Sequence, residues 1–165
     1  MIVVVMGVSG CGKTTVGRAL AEALGWPFLD ADDFHPPANV EKMRAGTPLT
    51  DDDRWPWLDR LAAEMSAIDA RGGGAVLGCS ALKEAYRTRL ARAGDVRLVH
   101  LKGDRATIAS RLAARAGHYM PPTLLASQFA TLEEPADAIV VDIRLAVPEQ
   151  VATIRDALCL ASPTP

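Results

Sequence analysis

Eight residues near the start of the chain, Gly7-Val8-Ser9-Gly10-Cys11-Gly12-Lys13-Thr14, follow the spacing G-x-x-x-x-G-K-[ST]. Each position has a chemical reason. Glycines let successive backbone N–H groups turn inward around phosphate oxygens, and the helix that follows points its positive end at the same anion. Lys13 can reach the β- and γ-phosphates of a nucleotide, the Thr14 hydroxyl can ligate Mg²⁺, and Thr15 extends the cradle into the helix. This composition gives about 0.002 chance matches to the pattern, so the segment is read as a phosphate-binding loop. The nearest acids in chain order are Asp30 and Asp32. On an extended segment, residues at i and i+2 point to the same side. One of the two could then organise the waters of Mg²⁺ while the other accepts the proton of an attacking hydroxyl. The competing reading of Asp30-Ala31-Asp32-Asp33 is a solvated turn or helix cap.

The elements that must position these groups alternate between two hydrophobic periods. Val3-Val4-Val5 is a β-branched run without a polar face, as in a strand buried on both sides. Val16, Leu20 and Leu24 then recur at helical spacing until Gly25. Pro27–Asp30 reads as a second strand and Pro37–Ala45 as a short helix stopped by Gly46. Thr50-Asp51-Asp52-Asp53 has the spacing of a capping box for a helix carrying Leu58, Leu61, Met65 and Ile68. Strands at Ala75–Leu77, Val96–Leu101 and Ile139–Val141 alternate with helices over Lys83–Arg92, Arg105–Arg115, a stretch ending near Glu133, and Val147–Leu158. Such alternation predicts an α/β fold, a five-stranded parallel sheet with helices on both faces. The tail from Ser162 to Pro165 is expected to fray.

Composition sets limits around this. A chain of 165 residues makes one domain, and 49% hydrophobic against 23% charged residues can build a packed core. A formal charge of -2 argues against a nucleic-acid coat. No apolar run reaches the roughly 20 residues that span a bilayer, so neither nucleic acid nor membrane is expected as a partner. Cys11, Cys79 and Cys159 are widely spaced and odd in number, which favours a reducing cytoplasm over a disulfide framework. Cys11 lies beside Lys13 and a helix N-terminus, and both favour a reactive thiolate. The N-K-x-D string of guanine readers is missing, and the third strand ends in Gly78-Cys79-Ser80 rather than in an acid. Both observations turn the reading from a switch or motor toward a small-molecule kinase.

The segments Leu29–Pro36, Asn39-Val40-Glu41-Lys42-Met43, Pro48–Leu58, Cys79-Ser80-Ala81-Leu82-Lys83 and Gly117-His118-Tyr119-Met120, together with the cradle, resemble the bacterial thermoresistant gluconokinases. The match spans nearly the whole chain in the family's order. Two departures are small: Cys11 stands where serine is common and Tyr119 where phenylalanine is frequent. The resemblance implies a P-loop NTPase of the nucleoside-monophosphate-kinase-like type, a fold that shikimate kinase shares. It implies a single kinase domain over 1–165, with a substrate-binding helical segment at about 34–70 and a lid at about 111–125. The activity implied is ATP-dependent phosphorylation of D-gluconate to 6-phospho-D-gluconate with Mg²⁺. A kinase for another hydroxy acid such as shikimate, or a nucleotide-binding regulator without turnover, remains an alternative. A homodimer is compatible with the family.

The same resemblance distributes roles. Lys13, Asp32 and Arg115 are the expected catalytic residues, with Asp32 orienting or deprotonating the hydroxyl and Asp30 joining Thr14 at the metal. Gluconate carries one carboxylate and five hydroxyls, and Arg54 is the expected carboxylate partner by analogy with shikimate kinase. His35 is set to bond a hydroxyl, and Ser80 and Lys83 to line a wall of the substrate pocket. Arg111 and Arg115 share one helix face at i, i+4, where a lid would bring them over ATP. Asp51 and its neighbours complement a helix N-terminus, and Trp26, Trp55 and Trp57 are expected to pack.

Overall fold

The computed structural model describes residues 1–114 and 122–160. Five consecutive apolar residues form β1 (Ile2–Met6), and every one of them is buried. It pairs in parallel with β3 (Ala75–Gly78) on one side and β4 (Val96–Lys102) on the other. β2 (Phe28–Asp30) and β5 (Ile139–Asp142) are the two edges, giving the order β2-β3-β1-β4-β5. Side chains alternate across a strand, so β1 divides itself between two cores. Val3 and Val5 pack with Leu20, Val99, Leu101, Ile108 and Ile154. Ile2, Val4 and Met6 pack with Leu58, Leu61, Met65, Leu77 and Leu90.

The first core is covered by α1 (Lys13–Leu24), α5 (Arg105–Ala113), α6 (Pro122–Thr131) and α7 (Val147–Ala157). The second is covered by α3 (Asp51–Ala70) and α4 (Glu84–Ala91), while α2 (Pro37–Arg44) buries only Asn39. Thr50 and Asp53 close the expected capping box at the start of α3. Leu58, Leu61 and Met65 are fully buried further along that helix, each contributing about 2 kcal/mol from burial. These residues anchor the middle of α3 on the sheet.

Two local features aim the strand ends. Gly17 of α1 lets the helix approach β2 so closely that a Cβ there would lie 2.5 Å from the Phe28 ring. After β3, Ala81 takes a left-handed backbone conformation, φ 42°, uncommon for a residue with a side chain. The buried Arg87 guanidinium donates to the carbonyls of Ala81 and Leu82, both at 3.0 Å, and so holds that turn from inside.

Candidate active site

The cradle is built as its glycines require. Gly10 and Gly12 have φ of 85° and 105°, values a side chain would strain. Gly12 ends the loop as the N-cap of α1 and offers no side chain to the first-turn amides, so those donors remain for an anion. Lys13 Nζ donates to the carbonyls of Gly7 and Val8, both at 3.1 Å, folding its ammonium back across the loop. Thr14 and Thr15 are exposed on the first turn. Cys11 departs from expectation. It is 1% exposed, and a Cβ on Gly7 would meet its Sγ at 2.8 Å. Burial pushes this thiol up, outweighing Lys13, so Cys11 is a packing residue rather than a reactive thiolate.

The aspartates also differ from an extended pair. β2 ends at Asp30, and Ala31–Phe34 form a 3₁₀ turn. Asp30 caps that turn, accepting from the Asp32 backbone N–H at 3.2 Å. The turn forms because Ala31 is buried and its carbonyl accepts from Trp57 Nε1 at 2.7 Å. Asp32 is left standing out of the turn, its side chain 88% exposed. Around the end of β3 the groups converge. The fully buried Cys79 thiol, pushed up to about 12 by desolvation, also feels the charges of Lys13, Asp32 and Asp30. The cradle begins against the same strand end, with Gly7 N–H donating to the Ser80 carbonyl at 3.4 Å.

His35 is clamped rather than free. Its side chain is 5% exposed and its Nε2 lies 4.0 Å from Asp32. The ring stacks on Trp57 at 4.2 Å, and Asn39 Nδ2 lies 3.4 Å from its Nδ1 while donating to the Asp53 carbonyl at 2.8 Å. Burial lowers its pKa, which favours the neutral ring. Trp57 is buried, as expected of a packing tryptophan, and Trp26 covers Gly74. Trp55 is half-buried and packs against the second core, under Arg89 and edge-on to Tyr86.

The expected substrate cations form one cluster with two residues the sequence did not single out for this role. Lys83 Nζ bonds both carboxylate oxygens of Asp51 at 2.9 and 2.7 Å. Tyr86 donates its hydroxyl to the same carboxylate. Arg54 Nη1 donates to the Leu49 carbonyl at 2.6 Å, lies 3.4 Å from the Tyr86 hydroxyl and 3.7 Å from Asp51. Asp51 is thus more than a dipole partner, and Lys83 holds its carboxyl below the usual range. Tyr86 sits three residues after Lys83 on the helix, the spacing that could have found it. Gln128 was missed as well; it bonds Ser9, and its signal is a polar residue on the core stripe of α6.

Arg111 lies near the cradle, its charge felt by Cys11, and it donates to the Ile143 carbonyl. Arg115, His118 and Tyr119 lie outside the described residues, as does the part of the expected lid from 115 to 121. Among the described residues, no helix is long and apolar enough to cross a membrane.

A parallel sheet in the order 2-3-1-4-5, with a phosphate cradle after its central strand and acids after the edge strand two places away, defines a P-loop kinase of the nucleoside-monophosphate-kinase-like type. A family model described as an AAA domain matches residues 2–135. Over 140 residues the chain is 54% identical to the gluconokinase of Gluconobacter oxydans, covering 81% of this chain and 76% of that protein. It is 47% identical over 148 residues to the thermoresistant gluconokinase of Escherichia coli, covering 86% and 84%. A crystal structure of a gluconokinase from Sinorhizobium meliloti superposes with a TM-score of 0.86 at 42% identity, covering 95% of this chain and 90% of that one. The chain belongs to the gluconokinase family.

Proposed function

We propose that this enzyme transfers the γ-phosphoryl group of ATP to the 6-hydroxyl of D-gluconate, giving 6-phospho-D-gluconate. The observation that carries the reading is the cluster of Arg54, Lys83 and Asp51 beside the strand ends that hold the cradle and Asp32. Two cations against one carboxylate leave one positive charge, which matches one sugar-acid carboxylate. Tyr86 and Asp51 hold the two cations in place, so little ordering entropy remains to be lost on binding.

Residues Gly7 to Thr15 would hold the phosphates through backbone N–H groups, with Lys13 carrying positive charge to the transferring group. Asp32, exposed after β2, would orient the attacking hydroxyl and take its proton. His35, through Nε2, and Ser80 would bond hydroxyls of the acceptor. Arg111 would add charge beside the cradle, and Arg115 is assigned there by its i, i+4 spacing. An exposed hydroxyl on an uncapped helix and a half-buried carboxylate suit a hard cation with oxygen ligands, so Thr14 and Asp30 would hold Mg²⁺. Bound there, the ion would neutralise charge on the β- and γ-phosphates. The whole chain acts as one domain in this reading, segment 34–70 supplying the acceptor side. Cys11, Cys79 and Cys159 are free thiols, which supports a cytoplasmic setting.

An ADP-coupled assay on gluconate, shikimate and glucitol tests the assignment. Turnover should require gluconate and fall away with the other two. Equal turnover with shikimate, or ATP hydrolysis indifferent to the acceptor, would overturn it.

A further inference from the structure

On α6, Leu125 is buried and Phe129 and Leu132 pack against the same core. Gln128 shares that face at helical spacing, yet it bonds the cradle rather than filling the core. Its Oε1 accepts from the Ser9 backbone N–H at 2.6 Å, and its Nε2 donates to Ser9 Oγ at 3.0 Å, across 119 residues of sequence. A carboxamide accepts at its oxygen and donates from its nitrogen, so one side chain serves both Ser9 groups. The next loop residue, Val8, borders a pocket of about 130 Å³ together with Lys102, Ile108, Phe129, Leu132 and Glu134. The two hydrogen bonds tie α6 directly to the loop at Ser9. On the other side of the loop tip, Leu112 of α5 leaves no room at Gly10, where a Cβ would lie 2.6 Å from its Cγ.

We infer that Gln128 is a positioning residue for the nucleotide: it fixes the turn at Ser9 and so orients the phosphate-binding N–H groups that follow from Gly10 to Thr14. The inference rests on the reading of the cradle as the ATP phosphate site. The Ser9 N–H is itself occupied, so Gln128 acts through the loop and not by touching phosphate.

The test is a double-mutant cycle with Gln128→Leu and Ser9→Ala, read by calorimetry with a non-hydrolysable ATP analogue and no acceptor, and by steady-state kinetics. Gln128→Leu should weaken the analogue and raise the KM for ATP about tenfold, the loss expected for two hydrogen bonds. The gluconate KM should stay within about twofold. Ser9→Ala should cost about threefold alone and nothing further in the Gln128→Leu background, because it removes a bond already lost. Analogue affinity unchanged in Gln128→Leu would overturn the inference, as would ATP and gluconate KM values rising together or additive losses. Gln128→Met, of similar length, takes the same measurements if the leucine variant does not fold. A wild type that binds the analogue but leaves gluconate unphosphorylated would refute the acceptor assignment alone, since the analogue affinity reads Gln128 separately.

Discussion

Asp32 and Asp30 sit two residues apart and are held in opposite ways. Asp30 ends a strand and caps the next turn, whereas Asp32 stands out into solvent beside His35. The proton acceptor must be the group free to meet a hydroxyl. Asp32→Asn keeps shape and loses basicity, so kcat should fall by about 10²–10⁴ with little change in nucleotide affinity. A larger loss in Asp30→Asn, with Mg²⁺ dependence unaltered, would reverse the two roles. In the proposed site Arg54 would meet the substrate carboxylate both before and during transfer, so Arg54→Ala should raise the gluconate KM strongly and change kcat less. Lys at this position should rescue poorly, because a point charge cannot fork onto a carboxylate. Equal losses with gluconate and the neutral glucitol, together with a lowered Tm, would assign Arg54 to bracing the start of α3 through Leu49 and Asp51. At this scale the sequence revealed residue types better than partners. Lys13 and Thr14 were legible because their motif carries geometry with it. Tyr86 and Gln128 were not, since their partners Asp51 and Ser9 lie 35 and 119 residues away in the chain. Cys11 was misjudged because its neighbours in sequence favour the thiolate and only the folded loop shows its burial.

Elements are positioned by close approaches that single residues permit. Gly17 brings α1 against Phe28, and the same Cε2–Cζ edge of that ring also meets Gly78, where a Cβ would lie 3.0 Å from Cζ. The ring edge is therefore packed closely against two glycines. Gly17→Ala gains helix propensity but overpacks this contact, and overpacking wins: Tm should drop by roughly 2–6 °C. A raised Tm would show that β2 can yield. Because β2 carries Asp30, activity should fall in the same variant. The periodicities located every strand and helix to within a few residues, since the two core faces are continuous and the apolar spacing records them. The 3₁₀ turn at Ala31–Phe34 escaped that reading. Its cause is the long-range bond from Trp57 to the Ala31 carbonyl, and an extended segment and a short turn look alike in four residues of sequence.

Across the whole molecule, two sets of groups tie stability to pH. Burial holds His35 and His100 below the ordinary histidine value. Their contribution is complete above about pH 6.5 and is lost as pH falls through the lowered values. Asp53 and Asp142 are held at about 2 by hydrogen bonds from Lys42 and Arg144 respectively. Their contribution is present above about pH 4 and is lost on further acidification. Tm should therefore be flat near neutrality and decline in two stages on acidification, and His35→Gln should shallow the first. A Tm that rises between pH 7 and 5.5 would contradict this. Alternating strands and helices made the fold class legible, but not the order 2-3-1-4-5, because strand neighbours are chosen by crossover packing and no residue pattern announces them. The central claim is that the cradle and Asp32 together deliver phosphate to one hydroxyl of one sugar acid. Phosphorus NMR of the product formed from ATP and D-gluconate tests it most directly. The expected result is a single phosphomonoester coupled to the C6 protons, equimolar with ADP, and lost in both Lys13→Ala and Asp32→Asn. ADP without phosphogluconate, or phosphate on another carbon, would contradict it.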